Sequence, residues 1–485
     1  MPYFPAVPIA GNASYEALRE ERPLLLQAAV YCASFGALSQ DKQEDVGKVV
    51  MDLFSAKAMS EGPKSTELIQ AIQAAVLYYR TTKHHTHVAV WQFIELAGGL
   101  AEDIGIGGPH RPPSLNVPAG GPYIDSSEAW RTWLVCHLLS ATLALFMRKP
   151  NASSWDERDE GNLEMLEYSH SRMDTDELLA QHIRAERLCD NIAAQQCLYE
   201  GLPTVDPADA LVQSSMRRLA DSITDWKAHI PPTIDPPIMG FWENIAMLYL
   251  HEPVLHTATN KMSFSAPFIA QRISVVDFPS PLVTQEHIAS IYKIRESVHA
   301  VIDLVAAFDN SYLIALPAMY FPGRVAYSIF VLSKLYVALT APGNTFGAFV
   351  DPESLLLDEY LEKMVAAHVR VAAIDDLCGQ ARILSASYKI REWLQGYKAN
   401  FSQATAKNRQ CSGDFQVPSY SSSYNTVSTS STALPAGWSN MNFIDSTNSL
   451  GLEEFFSDPF LTDWFPQQYD QTVAMTLSAP GTGYI

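Results

Sequence analysis

Clusters of basic residues are missing from this 485-residue chain, which sets 33 Lys and Arg against 53 Asp and Glu for a formal charge of −20. Nucleic-acid binding rests on Lys and Arg neutralising phosphates, so the chain alone is not expected to bind DNA tightly. The pairs Arg148-Lys149 and Arg217-Arg218 are too short for a nucleic-acid patch and read as solvated surface. Cysteine is scarce: Cys32, Cys136, Cys189, Cys197, Cys378 and Cys411 are scattered, with no Cys-x-x-Cys pair, and read as reduced thiols. The opening Met-Pro-Tyr-Phe-Pro-Ala-Val-Pro has no basic n-region and too many prolines for an apolar helix, which excludes a signal peptide. Sustained strand-type alternation and repeats of fixed length are also missing, which leaves an all-α fold.

Catalytic signatures are equally absent. There is no Gly-x-Ser-x-Gly elbow and no His-Glu-x-x-His helix. Asp375-Asp376 begins like a magnesium-diphosphate motif, but the third carboxylate is missing, since Leu377, Cys378 and Gly379 follow. Ile104-Gly105-Ile106-Gly107-Gly108-Pro109 has neither a strand before it nor a helix after it, so Gly105 reads as a helix terminator and not as part of a phosphate loop. His84, His85 and His87 lack a carboxylate or Cys at ligand spacing and read as a solvated helix end. The expectation is therefore a non-enzyme with no metal or other cofactor.

What is present is helix. Hydrophobic residues make up 47% of the chain, enough for a large core. The organising stretch is Ser126 to Pro150. Ser126 or Ser127 suits the N-cap, Glu128 the positive end of the helix dipole and Arg148 with Lys149 the negative end, and Pro150 stops the helix. Between them Trp130, Trp133, Leu134, Leu138, Leu145 and Phe146 spread over several faces, which predicts a helix buried on all sides. A bilayer span needs about 20 apolar residues, and this run is shorter and carries His137, so a packing helix is expected and no membrane partner. Apolar stripes at helical spacing predict further helices over 14–38 (a pair broken at Pro23), 41–60, 65–79, 91–104, 174–199, 211–226, 241–256, 287–308, 317–339 and 353–398, with a Pro/Gly-rich loop at 107–125 and a charged linker from 150 to 161.

The run Arg131 to Pro150, with its Trp-Leu-x-Cys-x-x-Leu-Ser core and closing Arg-Lys-Pro, resembles the regulatory middle homology region of fungal zinc-cluster transcription factors. Phe4-Pro5, Glu21-Arg22-Pro23-Leu24-Leu25, Gly62-x-Lys64-Ser65 with Leu68-Ile69-Gln70, Tyr78-Tyr79 and Leu248-x-Leu250-x-Glu252-x-x-Leu255-His256 follow in the family's order over roughly residues 4–390. Each motif alone mostly encodes helix packing; the ordered set carries the resemblance. It implies an all-α regulatory domain over residues 1–398, a nuclear location and control of fungal genes, including those of a secondary-metabolite cluster. The family's zinc cluster, which needs six closely spaced Cys thiolates, has no counterpart here. DNA contact is accordingly expected only indirectly, through a DNA-binding family member or homodimer, or through a zinc cluster encoded by an upstream exon.

Beyond residue 398 the composition changes. Residues 399–440 read as a Ser/Thr-rich disordered linker, and no Lys or Arg occurs after Arg409. Residues 441–485 form a disordered acidic tail in which Phe443, Leu452, Phe455, Phe456, Phe460, Leu461, Trp464 and Phe465 alternate with Asp445, Glu453, Glu454, Asp458 and Asp463. Carboxylate repulsion keeps such a segment extended and its aromatics available, which suits an activation segment for coactivator proteins. Two other readings stand beside it: a C-terminal arm that docks on the body, and an all-α ligand- or protein-binding scaffold without a transcriptional role.

Overall fold

A computed structural model describes residues 4–9, 13–34, 37–59, 64–79, 90–108, 126–168, 173–234, 236–318, 320–376 and 378–411. Among them there are α-helices and short 3-10 helices and no β-strand, as the missing alternation predicts. The helices are α1 (Tyr15–Glu21), α2 (Pro23–Ala33), α3 (Gln40–Met59), α4 (Thr66–Leu77), α5 (Val90–Asp103), α6 (Ser126–Met147), α7 (Glu157–Tyr168) and α8 (Asp176–Gln195). They continue with α9 (Ala210–Ala228), α10 (Pro236–His251), α11 (Gln285–Ala307), α12 (Asn310–Ala315), α13 (Pro322–Thr340), α14 (Leu357–Ala372), α15 (Gly379–Leu384) and α16 (Ala386–Cys411).

Local chemistry sets many of these boundaries. Ser65 caps α4 by accepting from the Leu68 N–H, and Asp209 caps α9 by accepting from Leu211 and Val212. Pro23 and Pro322 sit in the first turns of α2 and α13, where a missing N–H costs nothing. Gly105, at φ 76°, ends α5 by letting the Ile106 N–H reach back to the Ala101 carbonyl. The end of α6 is built the same way, with the Lys149 N–H on the Ala144 carbonyl, but its left-handed position belongs to Arg148 at φ 56°. A non-glycine residue pays about 1 kcal/mol there, so something must hold Arg148 in place.

The central helix is as expected. α6 packs on α4, α5, α7 and α8, and nearly every residue from Ala129 to Phe146 is buried. It is apolar and long enough to cross a membrane, yet 83% of its most apolar window is covered by the rest of the protein. A second helix that the sequence did not single out, α13, is buried just as fully from Pro322 to Leu339. α8, α10 and α11 link the two: α8 packs on α6, α10 on α8 and α11, and α11 on α13 and α14. A single continuous apolar core runs from Phe4 to Tyr397.

Three expectations change. The charged stretch after Pro150 becomes helical at Glu157 as α7, anchored inward by Leu163 and Leu166 and by the acidic Asp159 and Glu167. The single helix expected over 353–398 is a 3-10 turn followed by α14, α15 and α16, broken where Leu356 adopts φ 49° and again between Ala372 and Gly379. α16 then runs to Cys411, past Lys398. Helix α10 ends at His251, and Glu252–Leu255 continue as a 3-10 turn around Pro253.

Candidate functional site

The motifs that lie far apart in the chain meet around α6. The Arg22 guanidinium donates to Gln70 and to Glu128, the latter at 2.9 Å. Glu67 accepts from the free first-turn N–H groups of Leu24 and Leu25 at 2.6 and 3.2 Å, so α4 caps α2. Gln70 donates to Thr132 at 2.7 Å, and Gln73 to the Thr132 carbonyl at 2.8 Å. Arg131 makes a two-pronged pair with Asp176, Nε to Oδ1 at 2.8 Å and Nη2 to Oδ2 at 2.7 Å. Because Asp176 opens α8, its charge also faces the positive end of that helix. Trp133 donates its indole N–H to Asp159 at 2.8 Å, tying α7 to the same face.

Two further arginine pairs lie at the junction of α6, α8, α10 and α13. The first explains the backbone of Arg148: its Nη2 donates to Glu252 Oε2 at 2.7 Å, and neither side chain exceeds 1% exposure. The same carboxylate accepts from the Tyr327 hydroxyl, and its Oε1 accepts from His256 Nε2 at 2.7 Å. Arg148 is thus a buried anchor and not the solvated dipole partner expected from the sequence. The basic end of the central motif closes on the Glu252 and His256 of the later one. In the second pair Arg324 of α13 donates to both oxygens of Glu186 on α8, at 2.7 and 2.5 Å. Its guanidinium lies over the Trp242 and Tyr320 rings at 4.6 and 4.8 Å. Phe4 completes the aromatic wall, with its ring 4.5 Å from Tyr320 and 4.9 Å from His182.

The electrostatics are those of enclosed pairs. Burial alone would raise the Glu252 carboxyl, but Arg148 and the His256 hydrogen bond outweigh it and hold it below its ordinary range. Burial also lowers His256, which stays neutral and donates its Nε2 proton to the carboxylate. Burial would lower Arg324 as well, and the Glu186 charge overrides it, keeping the guanidinium protonated. Lys334, donating to Ser263 Oγ and the Arg272 carbonyl at 2.8 Å each, is pushed down to about 7 by burial. These pairs are closed to solvent and bridge the end of α6 to the turn after α10, and α8 to α13.

The expected activation residues, Phe443, Leu452, Phe455, Phe456, Phe460, Leu461, Trp464 and Phe465, lie outside the described residues, as do His84, His85 and His87. Asp375 and Asp376 sit in the turn between α14 and α15, and among the described residues no group of three metal-type ligands occurs. Sequence reasoning treated Glu252 and His256 as packing positions. The signal available was an acid and a histidine spaced i and i+4 in an otherwise apolar run.

Over 357 residues, 70% of this chain, the sequence is 24% identical to the transcription factor pbcR of Emericella nidulans. The chain is similar to a fungal transcription factor. It spans 44% of that protein's length. No family model matches the chain, and no solved structure matches it. The likeness supports a relationship to fungal transcription factors and a role in transcriptional regulation.

Proposed function

We propose that the protein is a fungal transcriptional regulator whose helical body holds it in its complexes and whose acidic aromatic tail recruits coactivators. The observation that carries this reading is the likeness to a fungal transcription factor over 70% of the chain. Two of the ordered motifs on which the family resemblance rests are also joined in space, by the Arg148–Glu252 pair. The protein works in the nucleus, on genes such as those of a secondary-metabolite cluster. With a net charge of −20 it reaches DNA through a DNA-binding partner, a second copy or a zinc cluster, not through its own surface.

Activation rests on Phe455, Phe456, Phe460, Leu461, Trp464 and Phe465 entering a coactivator groove, with the neighbouring acids steering them toward basic surfaces. Residues 440–485 fused to an unrelated DNA-binding domain are expected to activate a reporter. Changing Phe460, Trp464 and Phe465 together to Ala is expected to remove most of that activity, since aromatic anchors carry most of such binding energy. A silent fusion, or a triple variant that stays fully active, rejects the activation mechanism.

A further inference from the structure

We infer that the face built from segments 202–211, 274–286 and 343–353 docks a basic segment of a partner protein, one that carries Lys or Arg beside apolar side chains. Three contacts hold these segments together. His287 Nε2 lies 3.2 Å from Asp206 Oδ1, the Ser280 hydroxyl donates to the Gly343 carbonyl at 3.0 Å, and the His287 and Phe346 rings are 6.0 Å apart. Leu282 is two residues from the second contact and Phe349 three from the third, so at no more than about 3.6 Å per residue both lie within about 11 Å of a contact. Leu282 is 92% exposed and Phe349 59%, and Leu211 and Val276 stand 82% and 75% exposed on the flanking segments. One apolar side chain in water carries no meaning, but several around one junction mark a protein-binding surface.

Charge selects the occupant. No Lys or Arg occurs at 202–216, 273–292 or 341–362. Asp206, Asp209, Asp277, Glu286, Asp351 and Glu353 lie on these segments, and among the described residues none of them pairs with a Lys or Arg; Asp206 meets only His287. A face of this kind repels nucleic acid and anionic lipid and draws in a cationic segment. It also repels this chain's own tail, which beyond Arg409 holds seven Asp and Glu and no Lys or Arg. A second copy brings the same charge of −20. The apolar side chains then give the docked segment contacts that charge alone does not supply.

This inference does not rest on the transcriptional reading, because binding is read on the purified full chain with a synthetic probe. The probe is an amphipathic peptide with Leu at helical spacing along one face, Lys elsewhere, and benzoylphenylalanine in place of one Leu. Irradiation followed by peptide mapping is expected to place adducts on residues 202–216, 273–292 or 341–362. Adducts only elsewhere, or spread evenly over the chain, overturn the face. Matched peptides with Glu for Lys, or with Ser for Leu, are expected to bind roughly 10-fold or more weaker, and equal binding of either overturns the stated chemistry. Leu282→Ser with Phe349→Ser, and separately Glu286→Gln, Asp351→Asn and Glu353→Gln together, change exposed side chains only. Each set is expected to weaken the probe roughly 5-fold or more with an unchanged far-UV spectrum. Asp41→Asn, Asp45→Asn and Asp52→Asn together, on exposed positions of α3, control for net charge. That set is expected to leave affinity within roughly 2-fold, since screening confines each charge to its neighbourhood, and a loss as large as that of the face variant overturns the site. Concentration-dependent dimerisation that Leu282→Ser with Phe349→Ser abolishes assigns the face to a second copy and also overturns the proposal. If a face variant does not fold, the adduct map and the peptide series on the native chain decide.

Discussion

Breaking the Arg148–Glu252 pair tests whether the buried ionic junction holds the body together. Both side chains are at most 1% exposed and their charged atoms are 2.7 Å apart, so removing one leaves the other charge buried without compensation. Arg148→Met is expected to cost about 3–5 kcal/mol, and Glu252→Met about the same. The double substitution removes both charges and keeps apolar volume, so its cost is expected to be only about 0–3 kcal/mol. That is a coupling of several kcal/mol in a double-mutant cycle. Denaturant titrations read by tryptophan emission and by circular dichroism in parallel supply the numbers, provided the two transitions coincide. The single Arg148→Met variant carries a second signature. Without the arginine, His256 loses a repulsive neighbour and keeps Glu252, so its folded pKa moves up from the lowered value that burial gives it in the native chain. A histidine that takes up its proton more readily in the folded state loses less stability as pH falls through the unfolded value near 6.5. Arg148→Met is therefore expected to be less damaging at pH 6 than at pH 8. If the two single losses add to within 0.5 kcal/mol, on the scale of independent sites, the pairwise reasoning is refuted.

Lys334 couples stability to pH over a more alkaline range. Its folded value near 7 lies below the unfolded 10.5, so the unfolded chain binds more protons between them and stability rises with pH by up to about 1.4 kcal/mol per unit. Stability profiles of the native chain and Lys334→Met from pH 7 to 9 are expected to diverge by that slope, and parallel profiles reject it. His137, 2% exposed and lowered to about 3 by burial, makes the native state lose stability as pH falls from the unfolded value of 6.5. His137→Gln is expected to flatten that acid limb by about 3 kcal/mol at most, measured by chemical denaturation between pH 7 and 4.

Helix positions were legible wherever apolar spacing set them. α4, α6 and α9 fall where the stripes place them, because burying one face is what makes those segments helical. α7 was missed for the converse reason: Asp159 and Glu167 point inward, and a pattern of apolar residues cannot register an acid buried on an indole or a guanidinium. The breaks at Leu356 and near Gly379 were invisible because apolar spacing continues across them and no proline marks them. Arg148 misled for a similar reason. A basic pair before a proline is what a solvated helix end looks like, and only the distant Glu252 makes it a core residue.

The span of the arginine pairs bears on how the protein can be cut. Arg131, Arg148 and Arg324 join partners at Asp176, Glu252 and Glu186, so a truncation ending anywhere between residues 150 and 324 strands at least one guanidinium or carboxylate in apolar surroundings. Such fragments reach the protein-quality machinery of the cell before they reach any partner. In a deletion series made to locate a regulatory segment, lost activity within that interval reports a shortage of folded protein, and abundance has to be measured beside each reporter value.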